Sequence, residues 1–174
     1  MEDGNMGFDY TLNLADSLKN IEKGGAFLTV KDNDGKVNTM TIGWGSIGYE
    51  WGRPIFTVLV RESRYTHKLL ENAQDFTVSI PFDNKMNKAL GLCGSKSGKD
   101  CDKFKECNLK MIESNNVKSP VIEGCQMFYE CKIVYKHIMD LQLLDDKLKN
   151  KWYKEGDCHT LYYGEIVNCY GKQN

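Results

Sequence analysis

Arg61-Glu62-Ser63-Arg64-Tyr65-Thr66 sets two guanidinium groups and two hydroxyls where a strongly apolar strand gives way to a helical pattern. Such a junction can hold an anion, because the first backbone N–H groups of a helix lack partners and arginine adds charge in a planar fork. The plainer reading has Ser63 capping the helix and both arginines in solvent. Asn38-Thr39-Met40-Thr41 with Trp44 lines a strand with small polar groups and ends on an aromatic. It could hydrogen-bond a flat heteroaromatic and wall it in, or it could be an ordinary half-buried strand. Between Cys93 and Phe104, glycines, hydroxyls and lysines alternate, among them Ser97, Gly98 and Lys103, a mixture that suits phosphate. It is not a P-loop: the glycine spacing is one residue short and no Ser or Thr follows Lys99. A mobile surface loop is the alternative. Finally, Gly156-Asp157-Cys158-His159-Thr160 offers His159 as a proton donor with Asp157 to hold it. A simple turn into a strand explains the same residues. His67 and His137 stand alone, and neither a Ser-His-Asp nor a Cys-His arrangement stands out.

The elements that must position these residues follow from periodicity. Leu14, Leu18 and Ile21 mark a helix stopped by Gly24-Gly25. Ala26–Val30 and Val37–Trp44 read as strands joined by the Asp32-Asn33-Asp34-Gly35 turn, with Gly-rich punctuation over 43–52. Pro54–Arg61 is a near-continuous apolar strand, expected to be central. Ser63–Ala73 is a short helix, Phe76–Ile80 a strand, and 84–92 helical; a polar loop over 94–107 runs into another short helix. Val121–Met139 is a strand pair or one bent strand, with Cys125, Met127, Tyr129, Cys131, Ile133 and Tyr135 sharing a face. A basic amphipathic piece, Lys147–Tyr153, precedes a last strand from His159 to Tyr170. Six or so strands with irregularly inserted helices predict a mainly β antiparallel barrel with helical excursions.

The 174 residues fit one domain, 1–174, too short for separate nicotinamide and substrate domains. A formal charge of -1 removes the electrostatic case for a nucleic-acid or membrane-surface partner. Seven cysteines, an odd number without a C-x-x-C pair, argue against both a disulfide framework and a zinc site. With an acidic start and no long apolar run, the expected location is cytoplasmic.

In this order, the four segments resemble the flavin reductase-like family of FMN-binding split barrels, nearest the flavoredoxin-type branch. The resemblance rests on Asn38-Thr39-Met40-Thr41 with Trp44, Arg61-x-Ser63-Arg64-x-Thr66, Ser97-Gly98-x-Asp100-x-Asp102-Lys103-Phe104, and Gly156-Asp157-x-His159-Thr160 followed by Gly164-Glu165-Ile166. It covers about Ala26 to Val167. It implies a six-stranded antiparallel Greek-key barrel that forms a homodimer, with FMN in a groove near the subunit interface. Thr39, Met40 and Thr41 would face the isoalloxazine. Arg61, Ser63 and Thr66, with Arg64 beside them, would hold the phosphate, and Ser97, Gly98 and Lys103 would close over that end. His159 would lie near the ring, where nicotinamide or substrate enters. Lys99 stands where the branch would carry Arg, which keeps the charge and loses the fork. The implied activity is an NAD(P)H-dependent FMN oxidoreductase. The competing readings are a flavoredoxin-like carrier fed by a protein donor, and a flavin-free barrel that serves as a thiol-based sensor or interaction module.

Overall fold

The computed structural model describes residues 7–171. A helix, α1 (Leu14–Lys23), leads into a hairpin of β1 (Ala26–Lys31) and β2 (Val37–Ile42), then β3 (Gly45–Glu50) and β4 (Arg53–Arg61). After α2 (Tyr65–Leu70) and β5 (Asp75–Ile80) come a 3-10 turn (Asn84–Met86), α3 (Asn87–Ser95) and α4 (Lys103–Glu106). The short β6 (Met111–Ile112) and β7 (Val121–Ile122) pair with each other. The long β8 (Met127–Ile138), α5 (Asp146–Trp152) and β9 (His159–Gly171) complete the described chain. No helix among the described residues is long and apolar enough to cross a membrane.

The main sheet runs β2-β1-β5-β8-β9-β4-β3, with every neighbouring pair antiparallel. Its two outermost strands, β2 and β3, are consecutive in the chain and joined only by Gly43 and Trp44. Three Cα steps reach at most about 11 Å, whereas the edges of a flat seven-stranded sheet lie about 29 Å apart. The sheet must therefore curl until its edges nearly meet. Side chains from β1, β2, β4, β5, β8 and β9 fill the curl as one core, Leu28, Met40, Phe56, Val78, Tyr129 and Tyr162 among them. Where β9 crosses this core, Gly164 leaves room for Phe76: a Cβ there would lie 2.5 Å from the Phe76 ring. α1 caps the core through buried Ile21, and buried Ser17 accepts the Tyr129 hydroxyl at 3.2 Å.

The sheet has seven strands where six were expected, and no ladder joins β2 to β3 among the described residues. The addition is β3, which reads as punctuation because Gly45 and Gly48 interrupt it. It is an edge strand with no fully buried residue, so it shows no apolar alternation to detect. Val121–Met139 is two strands, β7 and β8. The expected common face holds through buried Met127, Tyr129 and Cys131. Beyond the bulge between Ile133 and Tyr135 the strand emerges, leaving Tyr135 48% exposed. α2 is shorter than expected, and of the α1 leucines Leu18 faces solvent.

Candidate functional site

β2 and β4 bring the first two sequence segments side by side, and β9 adds the last. The register of β4 against β9 sets Arg61 opposite His159. A cleft of about 190 Å³ opens there, with Met40, Thr41, Trp44, Arg61, Arg64 and His159 on its walls. A second cleft of about 120 Å³ adjoins it, and Met40 and Arg64 line both. Asn38, Ser63, Thr66, Ser97, Gly98 and Lys103 line the second. Twelve of the thirteen residues singled out in the sequence thus face one continuous groove. Thr39 is the exception: it is fully buried, with its hydroxyl on the Leu28 carbonyl and the Thr29 hydroxyl.

The second cleft is cationic and tightly built. Lys103 is only 3% exposed, and its Nζ donates to the carbonyls of Thr39 and Cys93, both at 2.9 Å. Among the described residues no carboxylate lies within 4.0 Å of that ammonium. Burial, offset in part by the neighbouring thiols and reinforced by the Arg64 charge, lowers its pKa. A buried cation without an anion is costly, and its third N–H has no acceptor among the described residues. The 96–103 loop that roofs the cleft approaches so closely that a Cβ on Gly98 would lie 2.0 Å from Asn38 Oδ1. Asn38 cannot easily move aside, because its Nδ2 donates to Thr66 Oγ1 at 2.8 Å.

Arg61 and Ser63 are already engaged. Ser63 donates its backbone N–H and its hydroxyl to the two Asp157 carboxylate oxygens, at 3.0 and 2.8 Å. Arg61 donates to the Asp157 carbonyl at 2.8 Å and to the Trp152 carbonyl at 3.0 Å, and lies over the Tyr153 ring. Asp157 therefore does not hold His159, as its place in the sequence implied. Its backbone adopts a positive φ of 50° that carries the carboxylate toward Ser63. His159 is held instead by Tyr153, whose hydroxyl lies 2.7 Å from Nδ1. Burial and the Arg61 charge lower the His159 pKa to about 4, against a weaker pull from Asp157, so the ring is neutral at pH 7.

The first cleft is walled by aromatics. Trp44, in the two-residue link, meets Trp152 of α5 edge to face at 5.0 Å and tilts over His159 at 5.3 Å. Trp152 and Tyr153 carry no chemical signal in the sequence. The only trace is the amphipathic piece at 147–153, whose final aromatic pair lies just before the Gly156-Asp157 turn.

This groove, cationic at one end and aromatic at the other, accompanies a match of residues 18–174 to the family model described as the flavin reductase-like domain. The chain belongs to the flavin reductase-like family. A protein of Archaeoglobus fulgidus is 31% identical over 76% of this flavin reductase-like chain, which spans 64% of that relative's length. One of Pyrococcus abyssi is 26% identical over 81% of this chain and 70% of its own. The flavoredoxin of Desulfovibrio vulgaris (Miyazaki F) shares the fold with a TM-score of 0.67 at 23% identity, over 86% of this chain and 69% of that one. An FMN-binding protein from Thermus thermophilus matches equally well, over 86% of this chain and 72% of that one.

Proposed function

We propose that this flavin reductase-like protein binds FMN along the two adjoining clefts and works as an NAD(P)H-dependent oxidoreductase. The observation that carries the reading is Lys103, a buried ammonium next to Arg64 that has, among the described residues, one donor without an acceptor and no carboxylate within 4.0 Å. A phosphate supplies the missing anion. Ser97 and Thr66 add hydroxyls, and the closely packed Gly98 keeps the loop down on the ligand. A flat ring belongs at the other end, against Met40, Thr41 and Trp44. Arg61 and Ser63 act chiefly by holding Asp157 and α5, so a phosphate touching them would first displace a carboxylate. Bound FMN would supply the hydride and electron transfer itself, which fits a site without a protein nucleophile. The chain's own residues orient the ring, limit water, and keep a neutral imidazole at His159.

The supporting experiment is the visible spectrum of purified protein titrated with FMN and then given NADH or NADPH without oxygen. The expected result is saturable FMN binding followed by nicotinamide-dependent bleaching. A protein that binds no FMN overturns the reading. Bound FMN that resists nicotinamide but accepts electrons from a ferredoxin-like protein points to a carrier. A homodimer is part of the proposal. It is supported by an aromatic face on which exposed Trp51 and Tyr135 pack with half-buried Tyr163 and His137.

A further inference from the structure

Tyr153 and His159 are both buried, and their 2.7 Å contact is the single hydrogen bond that either side chain makes among the described residues. Two arrangements are open to a neutral phenol and a neutral imidazole. Either the phenol donates to Nδ1, or Nδ1–H donates to the phenol oxygen. In the second, the phenol proton has no acceptor within a buried site, a loss that hydrogen-bonded interiors avoid. Burial also raises the Tyr153 pKa, so the phenol keeps its proton to give. The first arrangement therefore prevails, and Nδ1 is the acceptor.

The consequence falls on the other nitrogen. No buried side-chain nitrogen or oxygen among the described residues lacks a partner, yet Nε2 of His159 makes no hydrogen bond to any of them. It must open onto the cleft that His159 lines. We propose that Tyr153 is a positioning residue, which fixes His159 in the tautomer that presents an Nε2–H donor to the cleft. The charged groups around the ring are Arg61 on β4, Arg64 before α2 and Asp157 before β9. The two cations favour this neutral donor over an imidazolium. The group it recognises is a ring carbonyl oxygen of the flavin, stacked beside Trp44. At neutral pH His159 donates a hydrogen bond from Nε2 and does not accept a proton there. This assignment of a ligand rests on the flavin reading above; the tautomer itself does not.

The test is the nitrogen-15 spectrum of the His159 ring in flavin-free protein, for wild type and Tyr153→Phe. Wild type is expected to show a pyridine-type Nδ1 and a pyrrole-type Nε2, with the Nε2–H form favoured about tenfold or more. In Tyr153→Phe the preference should fall toward parity, and the ring pKa should rise above about 4, because the bond to the neutral form is gone. The Phe ring keeps the packing under Arg61. A pyrrole-type Nδ1 in wild type overturns the proposal without any variant, and so does an unchanged tautomer ratio in a folded Tyr153→Phe. FMN is then added to both proteins. A change at Nε2 in wild type supports the ligand assignment, and FMN that binds without moving that signal overturns it. Absence of FMN binding defeats the flavin reading and leaves the tautomer result standing.

Discussion

A buried ammonium that meets only carbonyls makes Lys103 the residue on which ligand affinity and stability come apart. Replacing it with Met removes a charge the flavin-free fold must desolvate, so the free protein is expected to lose little stability. The ligand would lose a charge-assisted contact worth roughly 1.5–3 kcal/mol. Excess FMN is therefore expected to raise the melting temperature of wild type clearly and that of Lys103→Met much less, in the same thermal-shift series. An equal rise in both would remove Lys103 from the site. His159 has a different signature. Its folded pKa of about 4 lies below the ordinary imidazole value of 6.5, so between these values the unfolded chain binds more protons than the folded one. Stability is then full above about pH 6.5 and falls as pH drops toward 4, by on the order of 3 kcal/mol at full extent. His159→Asn, which cannot titrate, should flatten that part of the denaturation-against-pH profile. Profiles of equal slope would place the ring in a solvated setting.

At the scale of elements, the 96–103 loop and α5 do the positioning, and they were unequally visible in the sequence. The loop was legible because its glycines and lysines are unusual together. Its fit is testable: the Cβ of Gly98→Ala would meet an Asn38 side chain pinned by Thr66. The expected outcome is about 1–3 kcal/mol of destabilisation in urea, with weaker FMN binding. Unaltered stability would mean that the loop rides clear of β2. α5 was legible only as a basic amphipathic piece and was silent as chemistry, since nothing in Trp152-Tyr153 says that a carbonyl will meet Arg61 and a hydroxyl will meet His159. Asp157 misled for the same reason: two residues from His159 along the chain, it turns at a positive φ and serves Ser63 instead. Strands with clean burial, such as β4 and β5, were readable from alternation and apolar runs. β3 was not, because an edge strand with two glycines buries too little to leave a pattern.

For the whole molecule, the open question is what lies against the exposed aromatic face. Trp51 is 62% exposed and packs against Tyr163 and the 48% exposed Tyr135. An apolar area of that kind commonly marks a contact surface. Sedimentation at micromolar concentration is expected to give a dimer, and Trp51→Glu to shift it toward monomer. A wild-type monomer that still holds FMN would show that the groove is complete within one chain. The near-neutral total charge conceals a local asymmetry, since Arg61, Arg64 and Lys103 all converge on the groove.

The two-residue link between β2 and β3 has a mechanical consequence. It sits on the line where the curled sheet fails to zip shut, and the groove runs along that line, with β2 on one bank and β4 and β9 on the other. Whatever fills the groove touches both banks and works as a rivet across a seam that backbone hydrogen bonds leave open. Amide hydrogen exchange should register this as slower opening of β2 and of the Gly43-Trp44 link in the loaded protein, with β5 and β8 at the back of the curl unchanged.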